Sequence, residues 1–215
     1  MRYESAELVN IAIIGSGQVG TALARAFGRA GHTVIFGVRT PDASRSNERT
    51  IADASAGADV VVLAVPFDAV PDVVAAASGF PGKTVIDATN PLGMRNGALD
   101  LTLGFDASGA ERVAALAPRA HVFKTFNQTG AENMARADAY HPAPVMLVAG
   151  DDATRKPVVM GLVFQVGFQA VDAGPLSAAR LLEPLAMLWI ELALKRGLGR
   201  DFAFALVRSS RSPQA

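Results

Sequence analysis

A glycine-rich hexapeptide is the part of this sequence most suited to chemistry. It follows an apolar run at residues 9–14, precedes a helix-like stretch at 21–30, and consists of Gly15, Ser16, Gly17, Gln18, Val19 and Gly20. Between a strand and a helix, the first glycine of such a turn permits a tight bend, the second lets a pyrophosphate approach the backbone, and the third lets the helix pack closely. Unpaired N–H groups and the positive end of the helix dipole then face the phosphates. The motif predicts a dinucleotide site, the alternative being a glycine-rich turn that binds nothing.

The end of the second predicted strand, 33–37, indicates which dinucleotide is bound. A site for NAD usually carries Asp or Glu there to accept from the ribose 2′-hydroxyl, whereas this chain continues with Val38, Arg39 and Thr40. A guanidinium can hold a 2′-phosphate through two hydrogen bonds, and Thr40 adds a hydroxyl. Arg45 and Arg49 make the following loop more positive. The sequence predicts NADP rather than NAD, unless Arg39 is a solvated loop arginine.

Other predicted site residues follow the ends of later strands, because ligands of a doubly wound sheet lie beyond the carboxyl ends of its strands. Val65 and Pro66 are expected to lie against the adenosine or the nicotinamide ribose. Asn90 and Asn127 are expected to form hydrogen bonds to the ribose or the carboxamide, although the segments that contain them are also typical of turns.

The sequence contains no convincing acid–base pair and no Ser-His-Asp set. Lys124 is the one lysine near a predicted strand end, where it would either contact a substrate or extend along the rim into solvent. Hydride transfer between two rings needs alignment and exclusion of water, but no protein acid or base. A hydride transfer is therefore favoured, and no catalytic residue is assigned.

Seven apolar runs, separated by helical segments, must position these residues. The runs are continuous rather than alternating, which is typical of a parallel sheet buried on both faces, and they lie at 9–14, 33–37, 58–65, 84–87, 121–125, 144–149 and 168–171. Short helices are expected at 68–77, 108–117 and 152–164. We predict an α/β fold with a Rossmann-type, doubly wound and mostly parallel sheet.

The connection after Arg39 is too short for a crossover helix and a further full strand. The usual third strand is thus expected to be missing or vestigial, and the run at 58–65 is expected to lie on the other side of the first strand. This order places the reversal of the sheet, and with it the ligand crevice, between Gly15 and Val65.

The last part of the chain departs from this pattern. A turn at 172–176 precedes a long helix predicted at 177–196 and an apolar segment at 201–206, and the tail from Ser209 is expected to be disordered. We predict an NADP-binding Rossmann domain at 8–172 and a C-terminal helical extension at 173–208 that closes the substrate site. The helix is apolar around most of its circumference and must be covered by residues 202–206, by the sheet domain or by a second copy, and a homodimer is expected.

Composition argues against several classes of function. The 215 residues carry a formal net charge of zero and no long basic stretch, which argues against a nucleic-acid partner. There is no cysteine and the three histidines are scattered, so no metal site is predicted. The N-terminus lacks an apolar leader and the apolar segment 176–194 contains charged residues, so we expect a cytoplasmic protein without a membrane partner.

Several stretches of the sequence resemble the NADPH-dependent reductases of the deazaflavin coenzyme F-420 (F420), a family related to the reductase domain of the STEAP metalloreductases. The matching stretches are 13–20, 36–39, 63–66, 87–91, 124–127 and 171–176, together with Arg180 and Glu183. The resemblance implies hydride transfer from NADPH to a flat redox acceptor, a deazaflavin or a flavin. The cofactor residues that it implies are Ser16, Gln18, Val19, Arg39, Pro66 and Asn90.

The acceptor is expected to enter a slot above the nicotinamide. The predicted walls of this slot are Phe67, Leu92, Asn127, Leu176 and Arg180. Arg180 would meet an anionic part of the acceptor, or would instead pair with Glu183 one helical turn later. Two other functions stay open: a module that binds NADPH without turnover, and an imine or hydroxyacid reductase of the six-phosphogluconate-like class, which needs a larger helical domain.

Overall fold

An eight-stranded sheet with helices on both faces forms the body of the protein, of which the computed structural model describes residues 7–209. The strands are β1 (Asn10–Ile14), β2 (Thr33–Val38), β3 (Glu48–Thr50), β4 (Val60–Leu63), β5 (Thr84–Asp87), β6 (Leu92–Arg95), β7 (Ala98–Leu101), β8 (His121–Lys124), β9 (Val145–Gly150) and β10 (Gln169–Gly174). The helices are α1 (Gln18–Arg29), α2 (Ile51–Ala56), α3 (Val70–Ala76), α4 (Gly109–Leu116), α5 (Ala131–Met134), α6 (Lys156–Gln165) and α7 (Ala179–Leu194). The sheet order is β10-β9-β8-β5-β4-β1-β2-β3, with β6 and β7 forming a separate hairpin. The predicted α/β, doubly wound fold is confirmed.

Strand β1 lies between β2 and β4, which confirms the predicted reversal of strand order. Ile14 pairs with Gly37 of β2 on one side and with Leu63 of β4 on the other, both in parallel. Beyond β2 the expected vestigial strand is β3, which is parallel and has 3 residues. The crevice of such a sheet opens where β1 and β4 end.

Two of the predicted parallel strands run the other way. β9 pairs with β8 in antiparallel fashion and β10 is parallel to β9, so both oppose the rest of the sheet. The chain leaving β8 forms the short α5 and a 3-10 turn at Ala137–Ala139 instead of a crossover helix. It therefore re-enters the sheet at the edge where β8 ended. A continuous apolar run fits a buried strand of either direction, so this reversal left no signal in the sequence.

A hairpin that the apolar pattern did not predict lies between β5 and α4. β6 and β7 pair in antiparallel fashion across Asn96 and Gly97, whose φ angles are 51° and 78°. Two consecutive positive φ values are typical of a tight hairpin turn, and the Asn-Gly pair is the sequence signal that points to it.

The C-terminal helix is shorter than predicted. The interval 177–196 begins within a 3-10 turn at Leu176–Ala178, and α7 ends at Leu194. The segment 201–206 has no regular structure, although the carbonyl of Phe204 accepts a hydrogen bond from the N–H of Val145 at the start of β9. Apart from Ser209, the tail predicted to be disordered lies outside the described residues.

Apolar clusters cover both faces of the sheet. Ile13 and Ile14, successive residues of β1, belong to opposite clusters because strand side chains alternate in direction. The first cluster includes Phe27 of α1, and the second includes Leu63 of β4 and Leu176. Burial on both faces explains why the strands read as continuous apolar runs.

Lys124, at the end of β8, is buried inside the protein, so the alternative of a side chain that extends along the rim into solvent is wrong. Its side chain is 0% exposed, and its ammonium group donates to Asp87 Oδ2 (2.9 Å) and to the Thr89 carbonyl oxygen (2.6 Å), and forms an ion pair with Glu183 Oε1 (3.0 Å). The Glu183 carboxylate also accepts from the first two backbone N–H groups of α4. This buried cluster joins the ends of β5 and β8 to α4 and α7.

Replacing Lys124 with Met is expected to destabilise the fold by about 3–5 kcal/mol, because two buried carboxylates would lose the cation between them. Urea unfolding followed by circular dichroism measures this loss. Lys195→Met is the matched control, since Lys195 pairs with Glu191 in a partly exposed position and such a pair contributes about 1 kcal/mol or less. Equal losses for the two variants would contradict the structural role of the buried cluster.

Candidate functional site

The glycine turn joins β1 to α1, and its three glycines have different roles. Gly15 has a φ of +108°, and a side chain there would come within 2.5 Å of the Ala64 carbonyl oxygen. A side chain on Gly20 would collide with the carbonyl oxygen of Gly15. A side chain on Gly17, in contrast, would meet nothing within 4 Å. The chain itself requires glycine at the first and third positions, whereas the second position leaves space open.

The N-terminus of α1 faces this space with backbone donors. Gly17 caps the helix without a side chain, and the first turn contains no acidic residue. The first N–H groups of a helix lack partners within it, and the helix dipole adds partial positive charge. This arrangement is suited to a phosphate.

A first cleft, of about 690 Å³, opens beside the turn, between the ends of β1 and β2 and the helix α3. The cofactor residues predicted from the sequence that line it are Gly15, Ser16, Arg39, Thr40, Val65 and Pro66. Its far wall, which the sequence analysis did not predict, consists of Ala69, Asp72, Val73 and Ala76. Their i, i+3, i+4, i+7 spacing within the predicted helix 68–77 is the signal that one helical face is turned to the cleft.

Arg39 is the cation that this cleft offers to a ligand. Arg45 pairs with Glu48 at 3.0 Å, and Arg49 donates to the carbonyl oxygens of Ser46 and Glu48 at 2.9 and 2.7 Å. Within residues 7–209, the exposed guanidinium of Arg39 has no acceptor at hydrogen-bonding distance. The loop arginines are therefore not equivalent, and the one that lines the cleft keeps its donors available.

A second cleft, of about 230 Å³, lies at the other end of the glycine motif. Four residues predicted to bind the cofactor line it, and these are Gln18, Val19, Asn90 and Asn127. The hairpin, α5, α7 and the segment after α7 supply the remaining wall: Leu99, Thr129, Gly130, Ala131, Ala186, Trp189, Ile190, Leu194 and Arg200. Because the glycine motif contributes to both clefts, a ligand bound across it has access to each.

Asn90 and Asn127 are brought together as a reciprocal pair. Asn90 Nδ2 donates to the Asn127 carbonyl oxygen (3.0 Å), and Asn127 Nδ2 donates to Asn90 Oδ1 (3.0 Å) and to the Leu182 carbonyl oxygen (3.1 Å). Gln128 Nε2 donates to Asn127 Oδ1 at 3.0 Å. Asn127 is buried and fully engaged, whereas Asn90 is only partly buried. The pair fixes the floor of the second cleft, and a direct hydrogen bond to the cofactor stays a prediction.

Trp189 and Arg200 form a wall of the second cleft that the sequence analysis did not predict. The Trp189 indole is 4% exposed, donates to the Phe202 carbonyl oxygen (2.9 Å) and stacks on the Phe202 ring. The Arg200 guanidinium lies 5.9 Å from the centre of the indole and donates to both carboxylate oxygens of Glu132, at 2.6 and 3.2 Å. These hydrogen bonds hold the pKa of Glu132 below its ordinary value. Arg200 and Glu132 lie far apart in the sequence, so no local pattern links them.

The segment that carries Arg200 is tied to α5 and to the turn after it. Asn133 Nδ2 donates to the carbonyl oxygens of Arg200 (3.1 Å) and Phe202 (2.7 Å). The Asp201 carboxylate lies 2.7 Å from the Tyr140 hydroxyl, and burial, followed by this carboxylate, raises the pKa of Tyr140 to about 12. Contacts within the chain therefore hold this wall in place.

Most residues predicted to wall the acceptor slot lie elsewhere. Phe67 lines a separate hollow formed by α3 and α4. Leu176 is buried in the core, where its N–H donates to Asp151 Oδ1 (2.9 Å). Leu92 begins the hairpin, and of the predicted set Asn127 alone belongs to the described lining of the second cleft. The wall of the second cleft is instead supplied by α7 further along its length, and contact of the predicted residues with an acceptor stays a prediction.

Arg180 pairs with Glu111 of α4, so the alternative of a pair with Glu183 is wrong. Its Nε and Nη2 atoms donate to the two carboxylate oxygens at 2.9 and 2.6 Å. These hydrogen bonds hold the pKa of Glu111 below its ordinary value. Glu183 instead takes part in the buried cluster with Lys124. Contact between Arg180 and an anionic acceptor stays a prediction, and it would compete with this pair.

The second cleft is poor in groups that exchange protons. Among its described lining residues, Arg200 is the one ionisable side chain. Over residues 7–209, no group of three or more His, Cys, Asp and Glu side chains is arranged to hold a metal ion. No helix in this part of the chain has the length and apolar character needed to span a bilayer. The cleft lining suits a reaction that depends on alignment rather than on a side-chain acid or base.

Known proteins share this architecture. Residues 10–91 match the family model of the coenzyme F420-dependent NADP oxidoreductases. The F420-dependent NADP reductase of Methanothermobacter thermautotrophicus is 31% identical over 217 residues, covering 87% of this chain and 90% of that protein. A candidate F420-dependent NADP reductase of known crystal structure, from Arthrobacter sp. FB24, has a TM-score of 0.85 at 30% identity and covers 93% of this chain and 100% of that one. The metalloreductase STEAP3 of Rattus norvegicus is 27% identical over 187 residues, and this chain spans only 37% of its length.

The similarity extends well beyond the glycine motif. The matches to the Methanothermobacter and Arthrobacter proteins cover 87% and 93% of this chain, and 90% and 100% of theirs. The chain therefore belongs to the family of F420-dependent NADP oxidoreductases and is an NADP-dependent oxidoreductase with a Rossmann-type fold.

Proposed function

We propose that the protein transfers a hydride between NADP(H) and a flat deazaflavin or flavin-like acceptor. The unpaired guanidinium of Arg39 in the first cleft is the observation that carries the proposal, because it favours a ligand with a 2′-phosphate. A dinucleotide held there and at Gly17 has its other end directed to the second cleft. The 8–172 unit then serves as the NADP-binding domain, and the 173–208 extension closes the acceptor site.

The residues of the second cleft contribute alignment and exclusion of water. NADPH supplies the hydride when it is bound. Val19, Trp189 and Ile190 provide apolar walls, and the Asn90–Asn127 pair fixes the floor. Holding two rings in one orientation in such a cleft lowers the entropic barrier to their reaction. Reduction of a flavin or a deazaflavin consumes one further proton, which solvent at the cleft mouth can supply.

A panel of acceptors tests the proposal directly. NADPH is mixed with the protein and oxidised F420, FMN, FAD, a ferric chelate, an imine or a keto acid, and NADPH absorbance is followed. Oxidation by the deazaflavin or a flavin is expected. Turnover with only the imine or the keto acid would instead indicate a reductase of the six-phosphogluconate-like class. NADPH binding without oxidation by any acceptor would favour a sensor.

Arg39→Ala is expected to weaken NADPH binding by about 1.5–3 kcal/mol, because a charge-assisted hydrogen-bonding group is lost. NADH binding should hardly change. Calorimetry with both cofactors measures the difference, and Arg45→Ala is the control because Arg45 already pairs with Glu48. Equal losses for NADPH and NADH in Arg39→Ala would contradict the assignment of this residue to the 2′-phosphate.

Gly17→Val is expected to abolish dinucleotide binding and leave the fold largely intact. The added side chain enters open space in the protein, where it would occupy the volume of the pyrophosphate. Calorimetry and thermal unfolding measure the two effects separately. Gly20→Ala is the contrasting variant, since its side chain would collide with the carbonyl of Gly15 and destabilise the fold. Normal NADPH binding by Gly17→Val would place the phosphates elsewhere.

We also propose a homodimer that covers the exposed apolar stripe of α7. Leu181 is 73% exposed and Leu188, two turns later, is 49% exposed, with the half-buried Leu185 between them. An apolar row at this spacing on a surface helix is suited to a second copy of the same helix about a two-fold axis.

The double variant Leu181→Glu, Leu188→Glu is expected to convert the dimer to a monomer, because charges would replace the centre of the apolar stripe. Light scattering at micromolar concentration measures the mass of both proteins. Glu substitutions at Leu8 and Val207, which are also exposed but lie off the helix, provide the control. A monomeric mass for the unaltered protein would contradict the dimer, because the apolar stripe of α7 would then be exposed to solvent.

A further inference from the structure

Arg200 is the cationic side chain at the second cleft, and it is already paired. Among the described residues that line this cleft, no other side chain carries a charge. Its Nε and Nη2 atoms donate to the two carboxylate oxygens of Glu132, and the two side chains are 44% and 43% exposed. The pair therefore lies at the cleft mouth, where a substituent on a bound ring would pass.

A paired guanidinium differs from a free one as a recognition group. An arginine binds a phosphate or carboxylate tightly when two of its N–H groups are aimed at the anion, and Glu132 takes the Nε–Nη2 edge of Arg200, so that only the outer edge is left for a second anion. The pair as a whole is neutral, so its attraction for a more distant anion is weak and is further screened by solvent. The first cleft shows the opposite arrangement, since Arg39 has no carboxylate partner within residues 7–209.

Contacts on the other sides of Arg200 oppose its release. Its guanidinium lies over the Trp189 indole at 5.9 Å, and its backbone carbonyl accepts from Asn133 Nδ2 at 3.1 Å. Trp189 itself is fixed by its hydrogen bond to the Phe202 carbonyl. An anionic substituent would have to displace Glu132 and disturb this stack in order to reach the cation.

We propose that the second cleft selects its acceptor by the flat, uncharged ring alone and gains nothing from a phosphate or carboxylate tail, because Glu132 neutralises Arg200. This proposal rests on the hydride transfer proposed above. In that step the C–H bond at nicotinamide C4 breaks, a new bond forms to N5 of a flavin or C5 of a deazaflavin, and a proton from water completes the two-electron reduction. The acceptor class is therefore an isoalloxazine or deazaisoalloxazine ring, whose anionic tail, where it has one, adds little to recognition.

Two matched pairs of acceptors test this proposal with the full chain and NADPH. Riboflavin is compared with FMN, and 5-deazariboflavin with its 5′-phosphate, so that each pair differs only by a phosphate. For the unaltered protein we expect kcat/KM within about threefold for the two members of each pair. In Glu132→Gln the ratio of kcat/KM for FMN to kcat/KM for riboflavin should rise about fivefold, which is the scale of a partly exposed ion pair. This gain should fall as the salt concentration increases.

Asp152→Asn is the matched control, because it removes the same charge at a site far from the second cleft. Asp152 pairs with Arg155 and with His121, at the start of β8, whereas the cleft lies beyond the end of β8. This control should leave the FMN to riboflavin ratio unchanged, whereas Arg200→Gln should lower it. An unaltered protein that prefers FMN more than tenfold would overturn this proposal and leave hydride transfer standing. Unaltered selectivity in Glu132→Gln would also overturn it. No turnover with any of these four acceptors, in a protein that oxidises NADPH with F420, would overturn this inference and leave hydride transfer standing, whereas no turnover with F420 either would overturn the proposed function.

Discussion

The buried ammonium group of Lys124 is the contact on which the arrangement of this protein depends. Three elements approach one another around it: the end of β5 through Asp87, the loop after β5 through Thr89, and α7 through Glu183. Buried charges are tolerated only when all their hydrogen bonds are satisfied. Asp87 also accepts from the N–H and hydroxyl of Thr89, and Glu183 accepts from the N-terminus of α4. Each of the three charged groups in the cluster thus has hydrogen-bond or ion-pair partners.

The cluster lies next to the clefts and positions their walls. Glu183 fixes the first half of α7, so Trp189 and Ile190, two turns later on the same helix, lie at the second cleft. The Thr89 carbonyl oxygen accepts a hydrogen bond from the Lys124 ammonium group. Thr89 directly precedes Asn90, whose side chain is paired with Asn127. Lys124 therefore stabilises the structure and does not line the second cleft. The surrounding elements orient the groups that form the walls of that cleft.

Whether a feature of this structure could be predicted from the sequence depends on how far apart in the chain the interacting residues lie. The glycine turn, the vestigial third strand, the position of β4 beside β1 and the cleft lining at Arg39 were predicted, because each follows from a short segment or from the length of one connection. The direction of β9, the partner of Arg180 and the burial of Lys124 depend on residues far apart in the chain. Glu111, which pairs with Arg180, carries no local signal of that pairing, so helical spacing pointed only to Glu183 as an intrachain partner. The Asn96-Gly97 turn did carry such a signal, and the hairpin was predictable from it.

The two arginines at the clefts show why charge pairing must be known before residue type can indicate ligand chemistry. In the sequence, Arg39 and Arg200 both lie outside the predicted strands and helices. In the structure, the cations near Arg39 are paired with Glu48 and with carbonyl oxygens, which leaves its own donors available. Arg200 is paired with Glu132 and stacked on Trp189. The two ends of the site therefore differ in charge pairing, although both carry the same side chain. This asymmetry supports the proposed direction of a bound dinucleotide, with the phosphorylated ribose at Arg39 and the nicotinamide in the cleft beside Trp189.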